Sequence, residues 1–572
     1  MQYKISYTNP RQHFVDLELI VENVNSEILE LQLPSWRPGR YELQNFAKNI
    51  QKWVAKTSGG EILPYRKASK DKWEVQTKGN KKIHVIYNYY AAQLDAGACW
   101  LDETQLYVNP VHLCFYVPGR IIEPCTVELN IPPEYKIATS LWQKNNVLFA
   151  ADYHELVDSP FIASAELDHF SYDVEGTVFN IWIKGEGVYD KQRIIKDFKD
   201  FSLSQLKMFG RFPFKEYHFL YQILAYKTYH GVEHLNSTVI AFGTGFNLKK
   251  PELYEDFLGI SSHELFHAWN VKAVRPAEMT PYKYEIENYN RLGFVTEGVT
   301  TYYGDLHLLR SKVFTPDQYF KDLAKSVQKH FDNYGRLNMS VADSSFDTWL
   351  DGYVEGIPNR KASIYTEGCL VAFMLDVLLL EQTGNNRSLD DVMRIIYNDF
   401  AISGYSEENY KKAAEAVAGI SLDSFFKSFV YGVTDYEPML HHCFGYIGCE
   451  MTKIPVPTYR ERIFGIKSIN ENGKAKIKSV APGSPAFVAG LAKDDEVVAV
   501  NGIKVDNNFS DLLESRGESE ITLNFFSLGL MKTLTMKKSG QEYFPFFSIK
   551  KLNNQTAGQQ EAFLKWAYRG SL

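Results

Sequence analysis

One short segment constrains this chain more than any other: residues 257 to 270 read FLGISSHELFHAWN. His263 and His267 are four residues apart, so on an α-helix they lie about 40° apart around the axis and about 6 Å apart along it. Both imidazoles can therefore reach one ion, and Glu264 stands beside the first of them. This His-Glu-x-x-His arrangement is typical of zinc sites in which the glutamate faces a water at the metal.

The third ligand is not another histidine. A catalytic zinc site needs a third protein ligand and one open position. The pattern that supplies a third histidine requires glycine at 270 and histidine at 273, whereas this chain has Asn270 and Ala273. We therefore expect a carboxylate ligand on an element that follows the helix.

Three glutamates are candidates for that carboxylate. Glu285 and Glu287 lie in a stretch rich in Tyr and Asn that resembles a loop. Glu297 lies in an apolar helical pattern, where a charge is costly unless it is paired or binds metal. We predict Glu297, with a dipole-stabilised helix charge as the alternative. Asp305, two turns on, is either an orienting partner for a ligand histidine or a solvated aspartate.

The chain has 572 residues, which are too many for one hydrophobic core, and its pattern of apolar and polar residues changes along its length. Residues 1–170 alternate like antiparallel strands, residues 171–250 mix strand and helix, and helical patterns dominate to about 450. Pro455-Val456-Pro457 indicates a linker. We predict an N-terminal β domain (1–170), a middle domain with a helical region (171–455), a compact third domain (456–545) and a polar C-terminal tail (546–572).

Composition excludes several classes of protein. The net charge of -7 argues against nucleic acid as the main partner. No apolar run is long enough to span a membrane, and the N-terminus does not read as a signal peptide. The six cysteines follow no disulfide spacing. We expect a cytoplasmic protein, with a trimmed form of an exported protein as the alternative.

Three motifs resemble one known family. Residues 263–276, HELFHAWNVKAVRP, resemble the signature of the glycyl aminopeptidases, which are zinc peptidases that also carry a PDZ domain. Residues 296–298 with Tyr302 and Tyr303, and residues 34–41, PSWRPGRY, resemble that family too. The resemblance implies a multidomain α+β fold: a β-sandwich-like N-terminal domain, a thermolysin-like zinc peptidase domain with a helical region, and a PDZ domain. It also implies release of small N-terminal residues, Gly and Ala above all.

Two further sites resemble the wider aminopeptidase clan. Gly231 and Glu233 resemble a Gly-x-Met-Glu-Asn strand whose glutamate holds the free amine of the substrate, although the spacing is shorter and His234 replaces Asn. The alternative is an exposed glutamate at a strand end. Tyr365 resembles a tyrosine that donates to the developing oxyanion, a role that suits a phenol because it stays protonated at neutral pH. With 36 tyrosines in the chain, a structural tyrosine is the alternative.

The third domain resembles a PDZ domain through residues 478–486, KSVAPGSPA, and the Asn501-Gly502 turn. The resemblance implies that Phe464, Gly465 and Ile466 form the carboxylate-binding loop and that residues 509–516 form the helix beside the groove. Such domains bind an extended chain end by adding it to a sheet edge. A PDZ fold without a ligand is the alternative.

These features together predict a zinc aminopeptidase that acts on peptides with a free N-terminus. Its metal ligands are His263, His267 and Glu297, its base is Glu264, its oxyanion donor is Tyr365 and its amine anchor is Glu233. Two rivals remain. One is a zinc endopeptidase that captures protein chain ends with its PDZ domain, and the other is a PDZ scaffold with a residual metal site.

Overall fold

The computed structural model describes residues 1–354, 356–471, 474–515 and 519–570. The first unit is built on an eight-stranded sheet. Apolar residues alternate along its strands, so every second side chain of Phe14–Val21 is buried. Neighbouring strands are antiparallel except Gln2–Ser6 and Cys125–Leu129, which pair in parallel. The strands follow one another across the sheet as Trp142–Lys144, Val147–Ala150, Cys125–Leu129, Gln2–Ser6, Phe14–Val21, Ile83–Tyr90, Trp53–Thr57 and Ile62–Leu63.

Two smaller sheets, of three and four strands, complete this domain. Leu31 and Trp73 of the three-stranded sheet and Leu17 and Val85 of the large sheet are buried in one core. Sheets that share a core face to face form a sandwich, so the expected sandwich-like N-terminal domain is confirmed. The small sheets contain Ile28–Gln32, Lys72–Gln76 and Tyr65–Lys67, and Lys136–Thr139, Phe161–Ser164, Leu106–Val108 and Trp100–Leu101; one short helix is Tyr153–Val157.

The middle domain begins with a five-stranded mixed sheet. Its order is Asp168–Val174, Thr177–Lys184, Glu216–Leu224, Ser237–Gly243 and Thr228–Glu233. The last of these, the edge strand, pairs antiparallel with Ser237–Gly243 and with no other strand among the described residues. The helix Pro251–Phe266 packs beside this strand; it carries His263, is capped at its C-terminus by His267, and is called the histidine helix below.

Helices make up most of the rest of the middle domain. The most apolar helix is Ile364–Gln382, which is buried on nearly all sides. The others are Lys191–Phe209, Thr300–Arg310, Pro316–Asp332, Val341–Phe346, Thr348–Asp351, Leu389–Phe400, Glu407–Ala418, Asp423–Phe425 and Glu437–Tyr446, with π-helices at Phe294–Val299 and Phe426–Val430. Within the described ranges, no helix has both the length and the apolar character needed to cross a membrane.

The third domain has the PDZ arrangement that the resemblance implied. Its strands are Ile466–Glu471, Lys474–Val480, Glu496–Val500, Ile503–Lys504, Glu520–Ser527 and Leu530–Lys537. Its helices are Tyr459–Phe464, Pro485–Ala489 and Phe509–Ser515. The last matches the predicted groove helix, although Arg516 lies outside the described residues. The domain contacts helix Pro316–Asp332, where Lys467 Nζ lies 2.6 Å from Asp332 Oδ2.

The expected polar tail is wrong. Phe546–Lys551 returns to the middle domain and pairs with Cys449–Ile454. Ala557–Ala567 is a helix whose Trp566 is fully buried and donates a hydrogen bond to Tyr302 Oη at 2.8 Å. The sequence signal was weak because each piece is short, and its large apolar residues are buried only by partners far away in the chain.

Candidate metal centre and active site

The two predicted histidine ligands face each other at the end of the histidine helix. His263 Nε2 and His267 Nε2 are 3.1 Å apart. His267 is buried, and its Nδ1 lies 2.9 Å from the backbone carbonyl of Asn270. A ring nitrogen beside a carbonyl carries the hydrogen, so Nε2 of His267 is left free to bind a metal.

Glu297 lies on the π-helix Phe294–Val299, next to the histidine pair. One of its carboxylate oxygens is 3.3 Å from His267 Nε2. His263, His267 and Glu297 each offer one ligand atom, and these atoms all lie within 4.8 Å of one another. Two imidazoles and one carboxylate at this separation suit a single divalent ion with an open position.

Asn270 connects the histidine helix to the π-helix. Its Nδ2 donates to the Val295 carbonyl at 2.8 Å and to Thr300 Oγ1 at 3.0 Å. On the other side of the π-helix, a Cβ at Gly298 would lie 2.3 Å from Gly368 Cα, so the two backbones are in direct contact. From the sequence, Asn270 served only to exclude a third histidine. Its signal was a polar residue that follows the apolar Ala268 and Trp269, three positions after His267.

Three carboxyl groups are buried close together at the site. Glu233, Glu264 and Glu297 are all buried, and Glu264 Oε2 and Glu233 Oε1 have no hydrogen-bond partner. Burial raises the pKa of Glu264 to about 8, with nearby Glu233 and Glu297 contributing against His267. Unpaired buried carboxylates are costly. A divalent cation would stabilise their ionised forms, and a donor set of two imidazoles and a carboxylate suits zinc, so these residues fit that metal.

The edge strand runs against the catalytic glutamate predicted from sequence. A Cβ at Gly231 would lie 2.0 Å from Glu264 Oε1, so only glycine allows the strand to approach this closely. Glu233 follows two residues later and therefore projects from the same face of the strand. Glu233, Glu264 and His267 each have a donor atom within 4.8 Å of the others. The structure thus brings both residues predicted for substrate binding next to the candidate ligands His263, His267 and Glu297, which are called the metal cluster below.

Tyr365 lines the same cavity, which has a volume of about 600 Å³. It lies in the first turn of Ile364–Gln382, whose N-terminus is capped by the Ser363 side chain. Burial raises the pKa of Tyr365 well above its usual value, and the carboxylate of Glu297 is the next largest cause. The phenol therefore keeps its proton at neutral pH and remains a hydrogen-bond donor.

A loop of the N-terminal domain, residues 34–41, forms part of the site. Tyr41 Oη donates to Glu297 Oε1 at 3.1 Å. A Cβ at Gly39 would lie 2.4 Å from Glu233 Oε2, so the loop backbone lies directly on that carboxylate. Arg37 is buried, with Nη2 3.4 Å from His230 Nε2. The sequence of this motif resembles the glycyl aminopeptidases but predicted no role for its residues.

The loop is held in place by the segment that follows the histidine helix. Ser35 N donates to the Tyr284 carbonyl at 2.8 Å, and Trp36 Nε1 donates to the Lys283 carbonyl at 2.7 Å. Tyr282 and Tyr284 are themselves buried in the core of the N-terminal domain. The two domains therefore share a packed interface at the site.

A buried ionic cluster fixes the end of the edge strand. Asp158 of the N-terminal domain accepts from Lys272 Nζ at 2.6 Å and lies 3.1 Å from His234 Nδ1. Although burial raises the pKa of Asp158, Lys272 and His234 outweigh it and hold the pKa below its usual value. His234, where the resemblance departs from the wider clan, thus contacts the neighbouring domain rather than the metal cluster.

Two other candidates have different surroundings. Glu285, one of the rejected ligands, accepts a hydrogen bond from Tyr116 Oη at 3.0 Å. Asp305 lines the cavity, but among the described residues its carboxylate accepts no hydrogen bond from either histidine. Its expected alternative roles were an orienting partner and a solvated residue, and Asp305 is half-buried without such a contact to the histidines.

The predicted carboxylate loop of the PDZ domain has one donor already engaged. Phe464 is buried and ends helix Tyr459–Phe464, and Gly465 has φ of 68°. The Gly465 N–H donates to the Glu461 carbonyl at 3.1 Å. Ile466 begins a strand that, among the described residues, pairs only with Lys474–Val480, so its other edge is open.

Family models and one solved structure agree with this arrangement. The Peptidase M61 N-terminal domain matches residues 2–165, the M61 glycyl aminopeptidase domain matches residues 256–371, and a PDZ domain matches residues 476–525. A solved aminopeptidase N family protein from Idiomarina loihiensis is 25% identical, with a TM-score of 0.90 over 99% of both chains. An M1 zinc metallopeptidase from Deinococcus radiodurans is 12% identical, with a TM-score of 0.44 over 76% of this chain and 94% of its own. No curated protein matches the chain.

A histidine pair on one helix, a glutamate on the next and an open strand edge beside them define the chain as a metallopeptidase. The two M61 domains lie in the N-terminal and metal-bearing regions, and the Idiomarina loihiensis structure shares the whole fold. The chain belongs to the M61 glycyl aminopeptidase family and carries a PDZ domain.

Proposed function

We propose that the protein is a zinc aminopeptidase that releases small N-terminal residues, glycine and alanine above all, from peptides. The carrying observation is the placement of Glu233 beside the cluster, buried and with one unpaired oxygen. A substrate ammonium in a half-enclosed cleft needs a carboxylate partner. An anchor this close to Glu264 leaves room for one residue before the scissile bond.

His263, His267 and Glu297 are the proposed zinc ligands. When bound, zinc lowers the pKa of a water and polarises a carbonyl. Glu264 accepts the proton of the attacking water and passes it to the leaving amine. Its unpaired Oε2 supports this role because a general base needs a free lone pair in the cavity.

Tyr365 donates its hydroxyl to the oxygen of the tetrahedral intermediate. A donor that is already fixed in place stabilises developing charge without reorganising during the reaction. The position of Tyr365 in the same cavity as Glu264 supports this assignment, and the capped first helical turn keeps its backbone rigid.

The preference for small residues is supported by the contact between the anchor and the N-terminal loop. Gly39 lies against the Glu233 carboxylate, so the end of the cleft that holds the first residue is closed by backbone. A closed pocket rejects large side chains by steric clash, which discriminates more strongly than the loss of one methylene.

A panel of substrates tests the function. With about one zinc per chain, glycine and alanine amides should be cleaved far faster than leucine or phenylalanine amides, and N-acetylated peptides should not be cleaved. Glu233→Ala should raise KM for free-amine substrates and lower kcat as well, because the anchor also orients the transition state. Steady-state kinetics and metal analysis provide the measurements. Efficient cleavage of an acetylated peptide would instead support an endopeptidase.

The endopeptidase remains the second candidate because of the PDZ domain. The open edge of Ile466–Glu471 is the surface to which an extended chain end would add. The engaged Gly465 N–H reduces the donors left for a terminal carboxylate. We therefore propose peptide chain ends as PDZ partners that are secondary to the substrate at the metal cluster.

Tyr41 is proposed to hold Glu297 in its ligating position from the neighbouring domain. Tyr41→Phe removes only the hydroxyl that donates to Glu297 Oε1. Partners that orient metal ligands contribute to binding, and their loss should weaken zinc affinity about 10- to 100-fold. Competition with a chelator measures this directly.

Tyr116→Phe is the matched control, because it removes a similar hydroxyl from Glu285, outside the proposed ligand set. Its zinc affinity should equal that of the wild type. Equal affinity in Tyr41→Phe as well would show that Glu297 needs no support from the N-terminal loop.

A further inference from the structure

The cavity extends beyond the metal cluster along one face of the histidine helix. Asp256, Gly259, His263, Glu264 and His267 all line it, as their three- and four-residue spacing requires. Asp256 precedes Glu264 by eight residues, which places it about 12 Å away along the helix axis. The cavity is therefore long enough to hold more than the residue that is released.

The edge strand runs beside the helix through the same cavity. Gly231 lies against Glu264, and two residues earlier the hydroxyl of Tyr229 approaches Gly259, where a Cβ would be 3.6 Å from it. The part of the strand from Glu233 to Tyr229 therefore lies alongside the part of the helix from His267 to Gly259. This step rests on the proposed function: with the amine at Glu233 and the scissile bond at Glu264, the leaving peptide lies toward Tyr229 and Asp256.

Acidic side chains predominate at that far end. The cavity lining there contains Glu255, Asp256, Asp305 and Asp322 against Lys325 and Lys329. Asp322 pairs with Lys325 at 2.5 Å, and Glu255 pairs with Lys321 at 3.3 Å. Asp256 and Asp305 have no salt bridge among the described residues. Burial raises the pKa of Asp305 to about 7, and the neighbouring carboxylate of Asp322 adds to the rise. Lys325 and Lys329 lower the pKa only in part.

An acidic cluster alone does not indicate a ligand, but this one shares its cavity with two buried and unpaired oxygens. Glu264 and Glu233 are 5% and 4% exposed, and each has a carboxylate oxygen without a partner. The cavity therefore has the character of a ligand-binding site. Its acidic end is the part that lies furthest from the amine anchor, Glu233.

We propose that Asp305 and Asp256 form a subsite for a cationic side chain, lysine or arginine, on the first residues of the leaving peptide. An extended chain advances about 3.3 Å per residue. A long side chain on the first or second residue of the leaving peptide therefore reaches Asp305. Asp305 Oδ1 lies 3.6 Å from the position that a Cβ on Gly259 would take. The enzyme then selects a small first residue and a basic residue after it.

Three peptides that differ only in the second residue test this subsite: Ala-Lys-Ala, Ala-Gln-Ala and Ala-Glu-Ala. Release of alanine should be fastest from the lysine peptide and slowest from the glutamate peptide. The lysine peptide should exceed the glutamine peptide in kcat/KM by about two- to fivefold, as expected for a partly exposed charge pair. Added salt should reduce the gap.

Asp305→Asn should remove most of the lysine preference while leaving cleavage of Ala-Gln-Ala unchanged. Because Asp256 is exposed, Asp256→Asn gives a second variant of the subsite with little risk to folding. Asp317→Asn, an exposed aspartate in the first turn of helix Pro316–Asp332, is the control that should keep the preference. Equal wild-type rates for the three peptides, or a preference for glutamate, would overturn the subsite. Failure to cleave all three peptides and alanine amide would instead overturn the proposed function.

Discussion

Glu264→Gln should keep its zinc and lose turnover by about 10²- to 10⁴-fold, the contribution typical of a general acid–base group. Glutamine has the same shape, so the contact with Gly231 and the three ligand side chains should be preserved. An amide cannot accept the proton of the attacking water, so the loss should fall on kcat. Metal analysis and steady-state kinetics on one zinc-loaded preparation give both quantities.

Glu285→Gln is the matched control for this experiment. It changes a carboxylate close in sequence to Glu297 whose observed partner is Tyr116, so activity and zinc content should remain those of the wild type. The thermal midpoint of Glu264→Gln should stay close to that of the wild type, because glutamine keeps the shape of the side chain and Glu264 Oε2 has no hydrogen-bond partner to lose. Substantial activity in zinc-loaded Glu264→Gln would exclude Glu264 as the base.

Tyr365→Phe should lower kcat by about 10²- to 10³-fold, equivalent to roughly 2.7–4 kcal/mol of transition-state stabilisation. The hydroxyl is proposed to bond only the tetrahedral oxygen, so KM should change little. The ring and its packing are retained, and the thermal midpoint should therefore stay close to that of the wild type. Kinetics and thermal unfolding of this one variant test the assignment.

Tyr353→Phe separates the oxyanion donor from its neighbour. Tyr353 Oη accepts a hydrogen bond from the Tyr41 backbone at 3.2 Å, so this hydroxyl has a structural partner already. Loss of this hydroxyl should lower the thermal midpoint and leave kcat nearly unchanged. A structural role for Tyr365 predicts that same pattern at residue 365, and a kcat there within about threefold of wild type would end the oxyanion assignment.

Local spacing explains why the metal residues could be proposed before the fold was known. His263, Glu264 and His267 share one helix, and helix geometry alone sets their relative positions. Glu297 followed from the cost of an isolated charge in an apolar segment. The π-helix around it and the support from Asn270 were not foreseen, because both depend on how two helices pack.

The C-terminal residues illustrate the opposite case. Phe546–Lys551 and the helix Ala557–Ala567 carry little periodic signal, and they were expected to be a tail. They are ordered because Cys449–Ile454 offers a strand to pair with and the middle domain offers a pocket for Trp566. No pattern within the segment itself indicates partners so distant in the chain.

By itself, the sequence determined the class of site, the carboxylate and imidazole groups that form it, and the β, helical and PDZ regions of an M61 peptidase. Only the tertiary structure decided how the cavity is completed. Tyr41 reaches Glu297 from 256 positions earlier in the chain, and Gly39 closes the cleft behind Glu233. Short-range geometry is repeated in every helix and strand and can be recognised from spacing. Contacts between domains depend on the packing of whole surfaces, which spacing does not record.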